Sequence, residues 1–475
     1  MIKIWDKMKN LKFPLGLAII IASLAIYKFH FLFLPYYWDE AWPYSTAVHL
    51  LYNHGLSFLP SSIPSEISRG HPLMFFFLAA TWMKIFGTGL FSGHCFALLI
   101  STTLLIIIFL FCRRFFSERV GFIACLLFAT QAVFIAQSVF LMPEVLMALW
   151  TTVCFYAYFN ESKLLYIVGA TAMLLTKESG GMLIVALCCY ELLQFAFSTE
   201  RQYKLLFKKM ILVFTPVGFA LIYFIIQKIE YGWFLFPFYM KYLSSKWDSF
   251  SVNLPSGAAY LFIYFGRNGL TIFVIIALAA IAKSKKTYFS LDQKKIISAL
   301  SLYIILYLLF SSVNYYIPRY LLCALPPFII VGSVLIEKVF SRFKFVYPII
   351  IAGLAATFIF YYANTTNYGD MDYTPSVTAD LKIVSFCEQH QLYDSSIYAT
   401  TVLRIDFTDS CAGYLTGKQF KNIQSDFSDK TRYCIISNDE PDDDVYNLVK
   451  NNSQYRMIKR TQESNKWREI YELKQ

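Results

Sequence analysis

Long apolar runs alternate with short polar stretches up to about residue 363. The runs recur at about 17–23 residues, the length an α-helix needs to cross about 30 Å of hydrocarbon. Eleven crossing segments are predicted, at about Phe13–Pro35, Leu90–Cys112, Val120–Leu141, Val145–Phe159, Leu164–Thr176, Gly181–Phe197, Ile211–Ile229, Tyr260–Ala282, Ile296–Val313, Leu321–Ile336 and Val346–Tyr362. Between the first two, Ala47–His54 reads as a short helix and Pro60–Gly70 as turns. His71–Gly87 reads as an apolar helix lying at the outer interface. The alternating strands of a β-barrel are absent. From Asn364 the composition becomes that of a soluble module. Ser395–Val402 and Arg432–Ser437 predict strands, Thr378–Gln391 and Asp442–Asn451 amphipathic helices, and Tyr455–Leu473 a hairpin. The expected fold is therefore mainly α: a polytopic membrane domain of about eleven helices over 1–363, with juxtamembrane helices in its first external loop, and a small extracytoplasmic α/β domain over 364–475.

Composition supports the membrane class. The chain is 57% hydrophobic and 19% aromatic, against roughly 45–50% apolar residues in soluble domains. A formal charge of +11 would suit nucleic acid, but the basic residues sit in clusters between apolar runs, where they act as topology signals. Five clusters fall on one side if His71–Gly87 does not cross: Lys3, Lys7, Lys9 and Lys12; Arg113, Arg114 and Arg119; Arg201, Lys204, Lys208 and Lys209; Lys283, Lys285 and Lys286; Lys338, Arg342 and Lys344. That side is the cytoplasm by the positive-inside rule, so the N-terminus is cytoplasmic and the C-terminal module external. The first apolar segment is too long for a signal-peptide core and is expected to stay as a helix. The ten cysteines show no metal or redox spacing; Cys387, Cys411 and Cys434 of the tail are candidates for one disulfide if the tail lies outside the cell. His49, His54, His94 and His390 show no ligand spacing and read as bystanders.

Acids near a bilayer are costly to desolvate, and the adjacent pair Asp39-Glu40 follows the first segment within a bed of aromatics. On the same predicted face lie Arg69, His71, Glu144, Lys177, Glu178 and Arg319. Acids can take a proton from a hydroxyl, while Arg, Lys and His can hold a phosphate and absorb charge on a leaving group. That mixture suits sugar transfer from a lipid phosphate. Trp38, Trp42, Tyr44 and Tyr320 are candidates to contact sugar or acceptor, or else belong to the interfacial aromatic belt. The other classes weighed are a transporter or flippase for lipid-linked saccharides and a non-catalytic assembly protein. A transporter would place charges at mid-membrane and show internal repeats, whereas here they gather at one face.

The order of Asp39-Glu40, Arg69-Gly70-His71-Pro72-Leu73, Phe86-Gly87, Met142-Pro143-Glu144, Leu175-Thr176-Lys177-Glu178, Pro318-Arg319-Tyr320 and Pro326-Pro327 resembles that of the GT-C membrane glycosyltransferases. Within them it is similar to the branch of protein O-mannosyltransferases and the lipid A aminoarabinose transferase, a family 39-like pattern covering about residues 13–340. The resemblance implies an inverting transferase with a polyprenyl-phosphate sugar donor. It implies Asp39 as the base acting on the acceptor, Glu40 as its support, and Glu144 as a second acid. Arg69, His71, Lys177 and Arg319 are expected around the donor phosphate, with Leu73 standing where the family has a second proline. No cofactor is certain; Asp39, Glu40 and Glu144 are the candidate ligands if a divalent cation takes part. The expected acceptor is a glycolipid, an envelope polysaccharide or a protein, and the expected location a bacterial inner membrane with the site on the periplasmic face.

Overall fold

The computed structural model describes residues 12–238, 247–284, 287–313, 317–364, 373–428 and 431–474. Lys3, Lys7 and Lys9, the Lys285-Lys286 pair, Tyr315-Tyr316 and residues 239–246 of the aromatic loop lie outside them. Helix α1 (Lys12–Lys28) leads through a 3-10 turn (His30–Phe33) to the first loop. That loop carries a 3-10 turn (Trp38–Glu40), α2 (Thr46–His54) and α3 (Met74–Phe86). The membrane half continues with α4 (Leu90–Phe115), α5 (Glu118–Ala129), α6 (Ala132–Gln137), α7 (Pro143–Phe159), α8 (Lys163–Leu174), α9 (Gly181–Ala196) and α10 (Tyr203–Tyr231). It closes with α11 (Trp247–Phe262), α12 (Arg267–Lys283), α13 (Leu291–Ser312), α14 (Leu325–Phe340) and α15 (Val346–Ala363).

Each of the eleven predicted segments falls on helix, although two are broken. The segment expected over Val120–Leu141 divides at Thr130-Gln131 into α5 and α6. The segment expected over Tyr260–Ala282 bends by 84° between α11 and α12, where Gly266 takes a left-handed φ of 80°. A side chain there would meet Thr357 at 2.7 Å, so glycine suits both the turn and the close approach. By length and hydropathy, six described helices qualify as spans, or seven with the bent pair counted as one; α1, α3 and α8 are apolar but shorter.

Local sequence sets the helix starts. The Ser117 hydroxyl accepts from Val120 N–H at the start of α5, and Ser290 and Gln293 form a reciprocal capping box on α13. Pro143 occupies the first turn of α7, where its missing N–H costs nothing. The α14 segment is buried along almost its whole length. By contrast, α10 and α15 expose large apolar side chains such as Phe219, Ile222, Ile229 and Ile349. Apolar surface on this scale is what lipid solvates and water does not.

The tail is α/β, as expected. Its five strands are β1 (Ile397–Tyr398), β2 (Ile423–Gln424), β3 (Tyr433–Ser437), β4 (Tyr455–Glu463) and β5 (Lys466–Leu473), in the order β2-β1-β3-β5-β4. The β1 neighbours are parallel, while β3-β5 and the β4-β5 hairpin are antiparallel. The helices are α16 (Thr374–Gln389), α17 (Thr401–Thr408) and α18 (Asp443–Asn451). The strand expected over Ser395–Val402 is only two residues long, because Thr401 already opens α17. Cys387, Cys411 and Cys434 are free thiols, so the disulfide considered for the tail is not formed.

The tail is bonded into the first loop. Tyr36 N–H donates to Ala412 O at 2.9 Å, Thr46 Oγ1 donates to Asp409 Oδ2 at 3.2 Å, and Tyr373 stacks on Tyr37 at 6.1 Å. Behind this contact, fully buried Arg468 pairs with Asp380 and donates to Asp439 Oδ2 at 2.6 Å. Asp406 is buried in the same place, and its Oδ2 has no hydrogen-bond partner among the described residues.

Burial holds the Asp406 carboxyl well above its ordinary pKa of 3.8; Asp380 adds to the shift and Arg468 opposes it. The folded protein therefore keeps a proton that the unfolded chain releases, and this contribution is complete below 3.8 and lost as pH rises through the folded pKa. Wild-type unfolding midpoints, followed by intrinsic fluorescence, are expected to fall over that rise. Asp406→Asn is expected to flatten the profile; an unchanged slope in Asp406→Asn would show that another group carries it.

Candidate active site

Two adjacent acids are sent in different directions by one tight turn. Trp38 adopts a left-handed φ of 52° and opens the 3-10 turn over Trp38–Glu40. Glu40 turns inward and is buried. Its carboxylate accepts from Leu141 N–H at 2.6 Å and Tyr37 N–H at 3.4 Å, and meets His94 Nε2 at 3.2 Å. The other nitrogen of His94, Nδ1, lies 3.0 Å from Leu32 O. A carbonyl and a carboxyl thus take up both ring nitrogens of His94. His94, read as a bystander, is thus held between Leu32 O and Glu40, and Glu40 braces the loop through buried contacts. Gly93 permits the arrangement: a Cβ there would stand 2.1 Å from the Tyr36 hydroxyl, and the Tyr36 ring lies edge-on to His94 at 5.0 Å.

Asp39 points the other way, with its side chain 17% exposed, and pairs with Arg319. Arg319 comes from a 3-10 turn (Pro318–Ala324) at the start of the α14 segment, far along the chain. Its Nε lies 3.7 Å from Glu144 Oε1, in the first turn of α7. Lys177, just after α8, reaches the same oxygen at 3.4 Å and sits 3.8 Å above the Tyr320 ring. Burial disfavours charge on Lys177, but Tyr320 and Glu144 outweigh it and raise its pKa. Two acids and two cations thus form one desolvated cluster. Glu144 Oε2 has no hydrogen-bond partner among the described residues.

The remaining predicted residues form neighbouring pairs. His71 Nδ1 lies 2.8 Å from Glu178 Oε2, next in sequence to Lys177. Arg69 has a left-handed φ of 51° and stacks over the Trp42 ring at 5.3 Å. Gly70 continues that turn with φ 68°, and a Cβ there would strike Phe236 at 2.5 Å. Met74 N–H donates to Leu175 O at 2.9 Å, which ties the His71 turn to the Lys177 turn.

Tyr44 is a correction. It is buried against Phe75 and Phe76, at 5.9 and 5.8 Å, and belongs to the core rather than to a sugar-contacting surface. Trp38, Trp42 and Tyr320 stay partly exposed. Among the described residues, no group of three His, Cys, Asp or Glu side chains is placed to hold a metal ion. The three acids named as possible ligands do not converge, because Glu40 is held on His94.

The arrangement of helices, loop and tail matches solved structures over nearly its whole length. ArnT from Cupriavidus metallidurans bound to undecaprenyl phosphate superposes with a TM-score of 0.62 at 11% identity, covering 95% of this chain and 97% of that one. The chain has the GT-C fold. The apo form of the same ArnT gives 0.57 at 10% identity, over 96% and 98% of the two chains. The apo oligosaccharyltransferase of Archaeoglobus fulgidus gives 0.50 at 11% identity, over 86% of this GT-C chain and 64% of that one. Residues 70–229 match the family of dolichyl-phosphate-mannose-protein mannosyltransferases. A comparison with curated protein sequences found no match.

Removing the acceptor from a buried hydrogen-bond donor leaves it unsatisfied, at a cost of about 1–3 kcal/mol. Glu40→Ala is expected to show a loss of that size in denaturant unfolding, and Asp39→Asn less than about 1 kcal/mol because Arg319 keeps Glu144. Equal losses in the two variants would contradict the division between the bracing acid and the acid paired with Arg319.

Proposed function

We propose that this chain is an inverting membrane glycosyltransferase that moves a sugar from a polyprenyl-phosphate donor to a hydroxyl or phosphate acceptor at the membrane surface. The observation that carries the reading is the shared guanidinium: Asp39 and Glu144, from separate elements, both meet Arg319, with Lys177 beside them. An arginine fork suits phosphate as well as carboxylate. A donor phosphate entering the cluster competes for Arg319 and Lys177, and drawing the guanidinium away from Asp39 raises the basicity of that carboxylate. The same contact that holds the donor thus readies the base.

Asp39 then takes the acceptor proton as the acceptor oxygen attacks the anomeric carbon. The bond to the phosphate oxygen breaks on the opposite face, and polyprenyl phosphate leaves with the electron pair. Charge grows on that phosphate during the step, where Arg319 and Lys177 stabilise it, supported by His71 and Arg69 from the adjoining turn. The free Oε2 of Glu144 is available to orient a sugar hydroxyl. Trp38, Trp42 and Tyr320 offer ring faces to the sugar. The relation to ArnT with bound undecaprenyl phosphate supports a lipid-phosphate donor. A bacterial inner membrane, with the cluster on the periplasmic face and the N-terminus in the cytoplasm, completes the reading. Whether the acceptor is a glycolipid, an envelope polysaccharide or a protein is for the assay below to decide.

Transfer of labelled sugar from a panel of synthetic polyprenyl-phosphate sugars is the direct test, with purified protein in nanodiscs and envelope extract as acceptor. Asp39→Asn is expected to lower turnover by roughly 10²–10⁴-fold, the usual contribution of a general base, with donor binding retained. Arg319→Gln is expected to weaken donor binding as well as turnover. Movement of intact lipid-linked saccharide between leaflets, without transfer and unaffected by Asp39→Asn, would replace the transferase reading with a flippase.

A further inference from the structure

The helix ends opposite Asp39 enclose a second cleft. Helix α4 is 26 residues long, and from His94, beside Glu40, it runs about 33 Å to Phe115 at 1.5 Å per residue. Helix α7 runs likewise from Glu144 to Phe159, and α8 returns from Lys163 towards Lys177. Where α4 and α7 end and α8, α10 and α13 begin, a cleft of about 990 Å³ opens. It shares no residue with the cluster around Arg319.

Five cations and three acids line it. Two of the acids are engaged. Glu191, its side chain only 3% exposed, accepts from Tyr158 Oη at 2.6 Å and Lys209 Nζ at 2.7 Å. Asp292 lies 3.8 Å from Lys295. Among the described residues, Lys163 and Lys208 pair with no carboxylate, and Arg114 donates to the neutral amide oxygen of Asn160 at 2.8 Å. The third acid, Glu161, leaves the lining with a net charge of two positive. Beside this charge the walls are apolar, with Phe115 and Phe159 inside and Leu205 and Ile211 exposed on the outer surface of α10.

We propose that this cleft binds an anionic glycerophospholipid, its phosphate held by Lys163, Lys208 and Arg114 and an acyl chain lying along Leu205 and Ile211. Uncommitted cations draw the phosphate. Exposed Leu205 and Ile211, one turn to either side of Lys208, distinguish a lipid from a free anion, which would leave both uncovered. Basic pockets between membrane helices take such headgroups for the same reason, each Lys or Arg near the surface contributing about 1 kcal/mol. The site stands apart from the reaction and does not rest on the proposed activity.

The test uses the purified full-length protein in neutral detergent, titrated with short-chain phosphatidylglycerol, phosphatidylcholine or inorganic phosphate, with bound lipid counted by native mass spectrometry. Phosphatidylglycerol is expected to be retained in preference to phosphatidylcholine. The double variant Lys163→Gln/Lys208→Gln is expected to bind it roughly thirtyfold less tightly, from two cations at about 1 kcal/mol each. Lys163→Arg/Lys208→Arg is expected to keep binding, which separates loss of charge from loss of fold. Equal retention of the two lipids, or unchanged binding in the Gln variant, would overturn the proposal. Displacement of the lipid by inorganic phosphate at matched concentration would overturn it too, in favour of a soluble-anion site.

Discussion

One guanidinium holds the membrane half and the first loop in a single arrangement. Arg319 is buried, so its charge must be met locally, and it is met by acids at Asp39 and Glu144. These residues belong to the loop after α1, the start of α7 and the turn before α14. Moving any of the three elements alone would part Arg319 from at least one of its acids. Lys177 balances the second acid, so the cluster carries little net charge while keeping strong local fields. Those fields are desolvated when the protein folds, which is what the proposed transfer asks of them.

The division of labour between neighbours follows from the same economy of space. Glu40 lies one residue from Asp39 yet faces a histidine and two backbone N–H groups. Because that acid is fully engaged, the turn around Asp39 has a rigid back. Gly93 allows the Tyr36 ring to approach α4 closely enough to cover His94. Glu40 and His94 thus act on Asp39 through the backbone, without joining the cluster around Arg319.

The helices of the membrane half were legible because hydrophobic length is a property of composition, and each of the eleven apolar segments falls on helix. Asp39, Glu144, Lys177 and Arg319 were legible for a related reason: each stands at the mouth of an apolar segment, where a charged residue is conspicuous. What escaped depended on direction rather than type. No pattern states that adjacent Asp39 and Glu40 diverge, since that follows from the left-handed Trp38. His94 lies four residues inside an apolar helix, without spacing to recommend it. Tyr44 has the composition of an interfacial aromatic and the position of a core one. The bend at Gly266 and the early start of α17 at Thr401 are likewise decided by packing, which local propensity does not record.

The hydrogen bond from Tyr36 to Ala412 joins the loop that carries Asp39 to a segment nearly four hundred residues later. Ribosomes deliver these partners in order. During synthesis the loop leaves the first helix early and waits, with one backbone donor and the Tyr37 ring face unmatched, while the remaining helices are made. The tail therefore acts as a clasp on the assembly sequence. The loop reaches its final bonding only after the whole membrane bundle and nearly half of the tail have been synthesised, so a chain stopped after α15 retains the charged residues of the cluster but not the tail contacts that fasten its loop.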